Sequence, residues 1–129
     1  MSHSTRLAKL SKRQLKAKYV EYNIAARLAM ESLDVALHNE YMDRILEIDA
    51  ELIRRGGQAW KVLAPLLEHR DPEVRLSAAC FLLRFDVESA VPVLQALTKI
   101  AHQEISFNAG MTLKLWEKGE FPLRDKPDA

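Results

Sequence analysis

The residues best able to hold a metal or to move a proton are histidines, and the chain has four of them. They are His3, His38, His69 and His102. None lies in a His-Glu-x-x-His motif, and none is at ligand spacing from Cys80. His69 precedes Asp71, and His102 precedes Glu104, in two turns that could meet along one edge and bind a metal. Because a closed site needs three or four convergent ligands, we interpret these residues as solvated turn residues and caps, and we predict no metal and no cofactor.

Cys80 would be a nucleophile if it were exposed and activated. It lies between Ala79 and Phe81, and a buried cysteine behaves as a small hydrophobic residue, so we predict an inert core position. The sequence has no glycine-rich phosphate loop and no serine–histidine–acid arrangement that we can justify. We therefore predict no catalytic residue and expect that the chain is not an enzyme.

Composition favours a soluble globular protein in a reducing compartment. Hydrophobic residues make up 48% of the chain and charged residues 29%, which is a globular balance. A lone cysteine cannot form an intrachain disulfide, and no apolar run is long enough for a signal peptide or a membrane span. We expect a cytoplasmic protein.

Charge is distributed unevenly along the chain. Residues 1–20 carry six basic residues and no acidic one, whereas the remainder is acidic on balance. Lys12, Arg13 and Lys16 would share one flank at the start of the first helix, where the helix dipole disfavours cations. This arm could bind a polyanion such as nucleic acid, or it could simply be a solvated, partly frayed terminus.

Arg75 is the most informative polar residue, because the pattern around it places it between two apolar faces of one helix. We expect its guanidinium to pair with a neighbouring acid such as Asp71 or Glu104, and contact with a ligand is the alternative. The candidate partner-binding residues of the chain are Lys12, Arg13, Lys16, Arg70, Arg75 and His102.

Helix signals dominate from Ser11 onward, so we predict an all-α protein of about six helices. We place a break at residues 38–40, with Asn39 as the N-cap of the second helix, and end that helix at Arg55 before two glycines. Asp71-Pro72 predicts a further helix start. The approximate ranges are 11 to the mid-thirties, 40–55, 58–68, 71–85, 90–101 and 103–118.

The second half contains an internal repeat, which appears when the sequence is shifted by 31 residues. Apolar positions then coincide, and the pair Ala78-Ala79 falls on Ala109-Gly110. Small residues at one place on a helix allow a neighbouring helix to approach closely, so we predict that both pairs pack closely. Each unit is a helical hairpin, and hairpins of this kind stack to bury their apolar faces.

The segment Leu66–Ala79, with its Asp-Pro-Glu-Val-Arg turn, resembles a HEAT-type repeat. Together with the stretch Glu51–Gly56, it is similar to a small bacterial family known only as a domain of unknown function. The second copy departs from the motif, because residues 102–106 contain neither proline nor arginine. The resemblance implies a right-handed stack of antiparallel hairpins, a HEAT-like α-α superhelix. It implies no activity, although some small bacterial helical-repeat proteins are antitoxin-like immunity partners.

These patterns predict three segments: a mobile basic arm at residues 1–10, a single helical domain at 11–119 and a loose tail at 120–129. The repeat copies span about 58–88 and 89–119. We expect a non-enzymatic helical-repeat scaffold that binds another protein, and nucleic-acid binding through the basic arm is the alternative.

Overall fold

The computed structural model describes residues 6–121, and within that range it contains helices and no strand. Six helices follow one another between residues 12 and 117, five of them α-helices and one a 3-10 helix. They are α1 (Lys12–Glu31), α2 (Val35–Arg55), the 3-10 helix η1 (Ala59–Glu68), α3 (Pro72–Leu82), α4 (Val87–Leu97) and α5 (Gln103–Glu117). The described residues group into two compact units, residues 6–62 and residues 63–121. The predicted all-α class is confirmed.

Helix α1 begins where the sequence predicts it, because Ser11 and Gln14 form a reciprocal capping box. The Ser11 hydroxyl accepts a hydrogen bond from the Gln14 amide at 3.1 Å, and the Gln14 side chain accepts one from the Ser11 amide at 2.8 Å. The predicted apolar stripe of α1 is buried, with Leu15, Tyr19 and Ala26 at 0% exposure. It packs against α2, whose own buried stripe includes Ile48.

The turn between α1 and α2 lies earlier than predicted. Asn39 is not an N-cap; Asp34 is, and its carboxylate accepts from the Leu37 amide at 3.1 Å. The Leu33 amide donates to the Met30 carbonyl and the Asp34 amide to the Ala29 carbonyl, the paired bonds of a Schellman motif. Glycine usually occupies the left-handed position of this motif, but here Leu33 does, with φ +60°. The sequence therefore carries no glycine to mark the turn.

Residues 38–40 instead lie inside α2, where His38 has a structural role. Its Nδ1 is 2.9 Å from the carbonyl oxygen of Ala26 on α1. A carbonyl can only accept, so Nδ1 carries the proton and donates across the helix pair. At the other end of α2, Gly56 adopts φ +66°, as the predicted glycine exit requires.

Helix η1 occupies the position predicted for the third helix, but it is a 3-10 helix. Its backbone bonds run three residues back, as in the bond from the Lys61 amide to the Gln58 carbonyl at 3.0 Å. Pro65 lies inside it and has no amide hydrogen to donate.

Helices α3, α4 and α5 belong to the second unit, where α4 packs against both α3 and α5. Asp71 caps α3 by accepting from the Glu73 amide at 2.9 Å, which confirms the predicted start. Helix α4 begins at Val87, three residues before the predicted start, because Asp86 accepts from the Ser89 amide at 3.3 Å and caps it. Helix α5 starts where it is predicted to start.

Four pairs of positions 31 residues apart are equally buried in the second unit. Each of the following is at most 3% exposed: Leu63 and Leu94, Leu66 and Leu97, Val74 and Ile105, Ala78 and Ala109. The N-caps of α3 and α5, Asp71 and His102, are also 31 residues apart. Helix α3 is buried on most of its circumference, as its apolar pattern predicts.

The prediction that both small-residue pairs pack closely fails at Gly110, the second residue of the pair Ala109-Gly110. Ala78, Ala79 and Ala109 are fully buried. Gly110 is half-buried, and a Cβ placed on it would meet no atom within 4 Å. Gly110 is therefore not a close-packing position, because its side of α5 faces open space.

Candidate partner-binding residues

The first turn of α1 is basic and outward-facing. Lys12 and Arg13 are exposed, and Lys16 is half-buried. The turn contains no acidic residue. Within residues 6–121, none of these three cations lies within ion-pair distance of a carboxylate. Their charge is therefore directed to solvent, or to an anionic molecule that approaches this end of α1.

The segment before α1 is anchored, so the prediction that residues 1–10 form a mobile arm is wrong for residues 6–10. Leu7 is 1% exposed, which makes it a core residue of the first unit. The Arg55 guanidinium donates to the carbonyl oxygens of Leu7 and Leu10 at 3.0 and 2.6 Å. Residues 1–5 of the predicted arm lie outside the described residues.

A buried carboxylate, Glu51, orients the arginine that provides this anchor. Its side chain is 6% exposed and accepts from Arg54 at 2.9 and 2.6 Å and from Arg55 at 2.7 Å. The hydrogen bond from Arg54 is the largest influence, and with the bond from Arg55 it lowers the pKa of Glu51 although burial opposes the shift. A small cavity of about 140 Å³ adjoins the cluster and is lined by Leu7, Glu47, Ala50, Glu51 and Arg54.

The sequence signal for this cluster is the spacing of its charged residues along the helix. Glu51 is followed by arginines three and four residues later, which is the spacing of helical ion pairs. The distant partners of Arg55, at Leu7 and Leu10, are backbone carbonyls and leave no trace in the side-chain pattern.

Arg75 holds the turn before α3 together. Its guanidinium donates to the carbonyl oxygens of His69 and Arg70 at 2.7 and 3.1 Å. The predicted ion pair with Asp71 or Glu104 is wrong, because the Arg75 guanidinium donates to backbone carbonyls of the turn instead. Arg70 itself is exposed.

The two turn histidines act as acceptors for backbone amides. Nδ1 of His69 accepts from the Asp71 amide at 3.0 Å. Nδ1 of His102 accepts from the Ile105 amide at 3.3 Å, so His102 caps α5 although it remains exposed. Both observations agree with their interpretation as turn residues and caps.

Cys80 is less buried than predicted. It is half-buried, and its sulfur lies 3.7 Å from the Thr112 hydroxyl of α5, close enough for a weak hydrogen bond. Its burial differs from that of Ala79 and Phe81 because a residue on the edge between two apolar faces reaches the surface.

Apart from the single residues Leu46 and Val87, the exposed large apolar side chains of residues 6–121 form two groups that sequence reasoning missed. The turn between α1 and α2 exposes a group that we call the turn patch, consisting of Leu28, Leu33, Val35 and Leu37 at 51%, 83%, 53% and 37%. Helix α5 exposes Phe107 at 66% and Met111 at 41%. Such patches mark interaction sites in many proteins.

Across residues 6–121, no group of three or more histidine, cysteine or acidic side chains is placed to hold a metal ion. No helix in that range is both long and apolar enough to cross a membrane.

Comparison with known proteins identifies the family. A family model described as a domain of unknown function, DUF2019, matches residues 13–117. A crystal structure of the protein RPA1889 from Rhodopseudomonas palustris CGA009 is similar, with 25% sequence identity and a TM-score of 0.86 over 92% of this chain and 98% of that one. No curated protein matches the chain. Because the family model covers well over half of its residues, the chain belongs to the DUF2019 family of domains of unknown function.

Proposed function

We propose that this chain is a non-enzymatic, HEAT-like helical-repeat scaffold that binds another protein, and that the turn patch is part of the binding surface. The observation that carries the proposal is Leu33, a leucine that is 83% exposed and held at φ +60°. The backbone conformation closes the Schellman turn, but a glycine there would close it at lower cost, and the exposed leucine side chain adds nothing to the isolated chain. The choice of leucine is explained if a partner covers its side chain.

The backbone conformation of Leu33 costs free energy. A non-glycine residue in the left-handed region is disfavoured by roughly 1–2 kcal/mol, and glycine or asparagine would reduce this cost. At 83% exposure the side chain gains little from burial within the chain. A leucine kept at a position that disfavours it, with its side chain exposed, supports a functional role.

The neighbours of Leu33 enlarge the apolar surface. Leu28 and Val35 are both more than half exposed, and Leu37 is exposed at 37%. All four lie within ten residues of sequence around one turn. Exposed apolar patches mark protein–protein interaction sites in many proteins.

The equivalent N-caps and core positions of the second unit support the repeat part of the proposal. A hairpin that recurs with the same buried positions is the unit from which helical-repeat scaffolds are built. Such scaffolds bind proteins through extended surfaces.

The proposal is tested by replacing Leu33 with asparagine, which tolerates the left-handed region and removes the apolar side chain. The matched control is Leu46→Asn, a leucine on α2 that is 58% exposed. Tagged parent and variants are used to retain proteins from a lysate of the source organism, and quantitative mass spectrometry compares what each retains. We expect Leu33→Asn to lose a protein that the parent and Leu46→Asn both retain. Equal retention by Leu33→Asn and the parent would refute the turn patch as a binding surface.

A second candidate function, nucleic-acid binding, is favoured by the basic end of α1. Arg6, Lys9, Lys12 and Arg13 are all exposed, and no acidic residue precedes Glu21. A phosphate backbone would neutralise these cations and release counterions, so binding should weaken steeply as salt is added. Fluorescence anisotropy with labelled duplex and single-stranded DNA and RNA tests this, with the parent compared with the triple variant K12E/R13E/K16E. Absence of binding at low salt by the parent eliminates this candidate.

A further inference from the structure

Helix α5 carries an exposed stripe of four residues, which we call the α5 stripe. In chain order they are an acid, an aromatic residue, a methionine and a base: Glu104, Phe107, Met111 and Lys114. Glu104 and Lys114 are exposed, as are Phe107 at 66% and Met111 at 41%. The spacing of three, four and three residues places the four side chains along one face of the helix.

The order of these residues is self-complementary. Glu104 and Lys114 are equally distant in sequence from residue 109, and so are Phe107 and Met111. If a second α5 lies antiparallel across the first, with the two-fold axis crossing the stripe level with residue 109 along the helix, Phe107 faces the partner's Met111. In the same register, Glu104 faces the partner's Lys114. Each contact occurs twice, as an isologous interface requires.

We propose that two copies of this chain associate through the α5 stripe in an antiparallel, two-fold symmetric dimer. Charge complementarity within the stripe selects a second copy as the occupant, because each end of the stripe carries the charge that the opposite end of the other copy attracts. In the parallel orientation, Glu104 would face a glutamate and Lys114 would face a lysine. Like charges would therefore oppose that arrangement.

The apolar centre of the stripe provides the attraction. In the dimer, the Phe107 ring would be removed from water and packed against the thioether of the partner's Met111. Sulfur makes favourable contacts with aromatic rings. Gly110 lies next to this centre, and nothing occupies the space where its side chain would be, so the second helix can approach there. The helix is 15 residues long, or about 22 Å, and one helix pair buries less area than most stable dimers do. The dimer is therefore weak and depends on concentration.

The test is a charge swap read by sedimentation velocity over a wide range of protein concentration. Glu104→Lys alone places lysine opposite lysine at both ends of the interface, and Lys114→Glu alone places glutamate opposite glutamate. Each single variant should weaken dimerisation by about tenfold, because two ion pairs become two repulsions. The double variant E104K/K114E exchanges the charges and should restore the parent's dissociation constant to within about threefold.

Two further variants separate this interface from general effects. Glu117→Lys changes an exposed acid of the same helix outside the stripe and should leave dimerisation unchanged. Phe107→Ser should abolish dimerisation without changing the melting temperature, since the ring is 66% exposed. A parent that stays monomeric at all concentrations would overturn the proposal. Failure of the double variant to restore association would overturn the antiparallel register. The outcome is independent of the turn patch, because none of these substitutions lies in it.

Discussion

Replacing Glu51 with glutamine removes the charge that compensates Arg55 and leaves the shape of the side chain almost unchanged. Glu51 is 6% exposed and the side chain of Arg55 is 19% exposed, so their interaction is largely shielded from water. Removing one partner of a fully buried ion pair typically costs about 3–5 kcal/mol. The glutamine oxygen still accepts one hydrogen bond, and Arg55 keeps its bonds to two backbone carbonyls. We therefore expect Glu51→Gln to lower the free energy of unfolding by about 2 kcal/mol.

The effect should depend on pH in a defined direction. The pKa of Glu51 is lowered from its ordinary value of 4.5, and the hydrogen bond from Arg54 is the largest cause. A carboxyl whose pKa is lower in the folded state stabilises the fold above its unfolded pKa. That contribution is lost as the pH falls from 4.5 through the folded pKa. The difference in stability between the parent and Glu51→Gln should therefore be constant near neutrality and should shrink below pH 4.5.

Urea denaturation followed by circular dichroism measures both quantities at a series of pH values. Arg54→Ala is the matched control, since Arg54 bonds the same carboxylate but is 62% exposed, and it should cost less than Arg55→Ala. Equal unfolding free energies for Glu51→Gln and the parent at pH 7, or a difference that grows as the pH falls, would refute this account of the cluster.

Three other substitutions test the helices of the second unit by thermal melts. Gly110→Ala should stabilise the fold by about 0.5–1 kcal/mol, because alanine is favoured inside a helix and its Cβ would meet nothing within 4 Å. The control, Gly119→Ala, should destabilise the fold, because Gly119 has φ +75°. A lower melting temperature for Gly110→Ala would show that the space beside residue 110 is filled. Asp71→Ala should cost about 0.5–2 kcal/mol through loss of the cap on α3, whereas Asp71→Asn should cost less. Ala109→Leu should cost about 1–3 kcal/mol by overpacking a fully buried position, and a melt unchanged from the parent would contradict close packing there.

Local chemistry made several features predictable from the sequence. The Asp71-Pro72 pair specifies a helix start because the cap, the fixed proline φ and the missing amide all act within one turn. Ser11 and Gln14 act at the same short range. The 31-residue repeat predicted equivalent buried positions, since a residue on the inner face of one hairpin has the same environment in the next. These features depend on residues that are near in sequence or that occupy equivalent positions in the two repeat copies.

The turn patch and the α5 stripe could not be predicted in this way. Leu33 and Leu63 are both leucines in helical surroundings, yet one is 83% exposed and the other 0%. Which face of a helix is covered depends on the elements packed against it, and a leucine in a left-handed turn has no sequence signature. The basic end of α1 was predictable as a concentration of charge.

The sequence by itself determined the all-helical class, the start of α1, the cap of α3, the repeat and the uneven charge, because each depends on neighbouring residues or on a period. The tertiary structure decided that residues 6–10 are anchored, since Arg55 reaches backbone carbonyls 45 and 48 residues away. It also decided that Arg75 serves the turn before α3, and that Gly110 faces open space although Ala109 beside it is buried. Backbone acceptors and uncovered faces are properties of the packed chain, because they exist only once elements distant in sequence have come together.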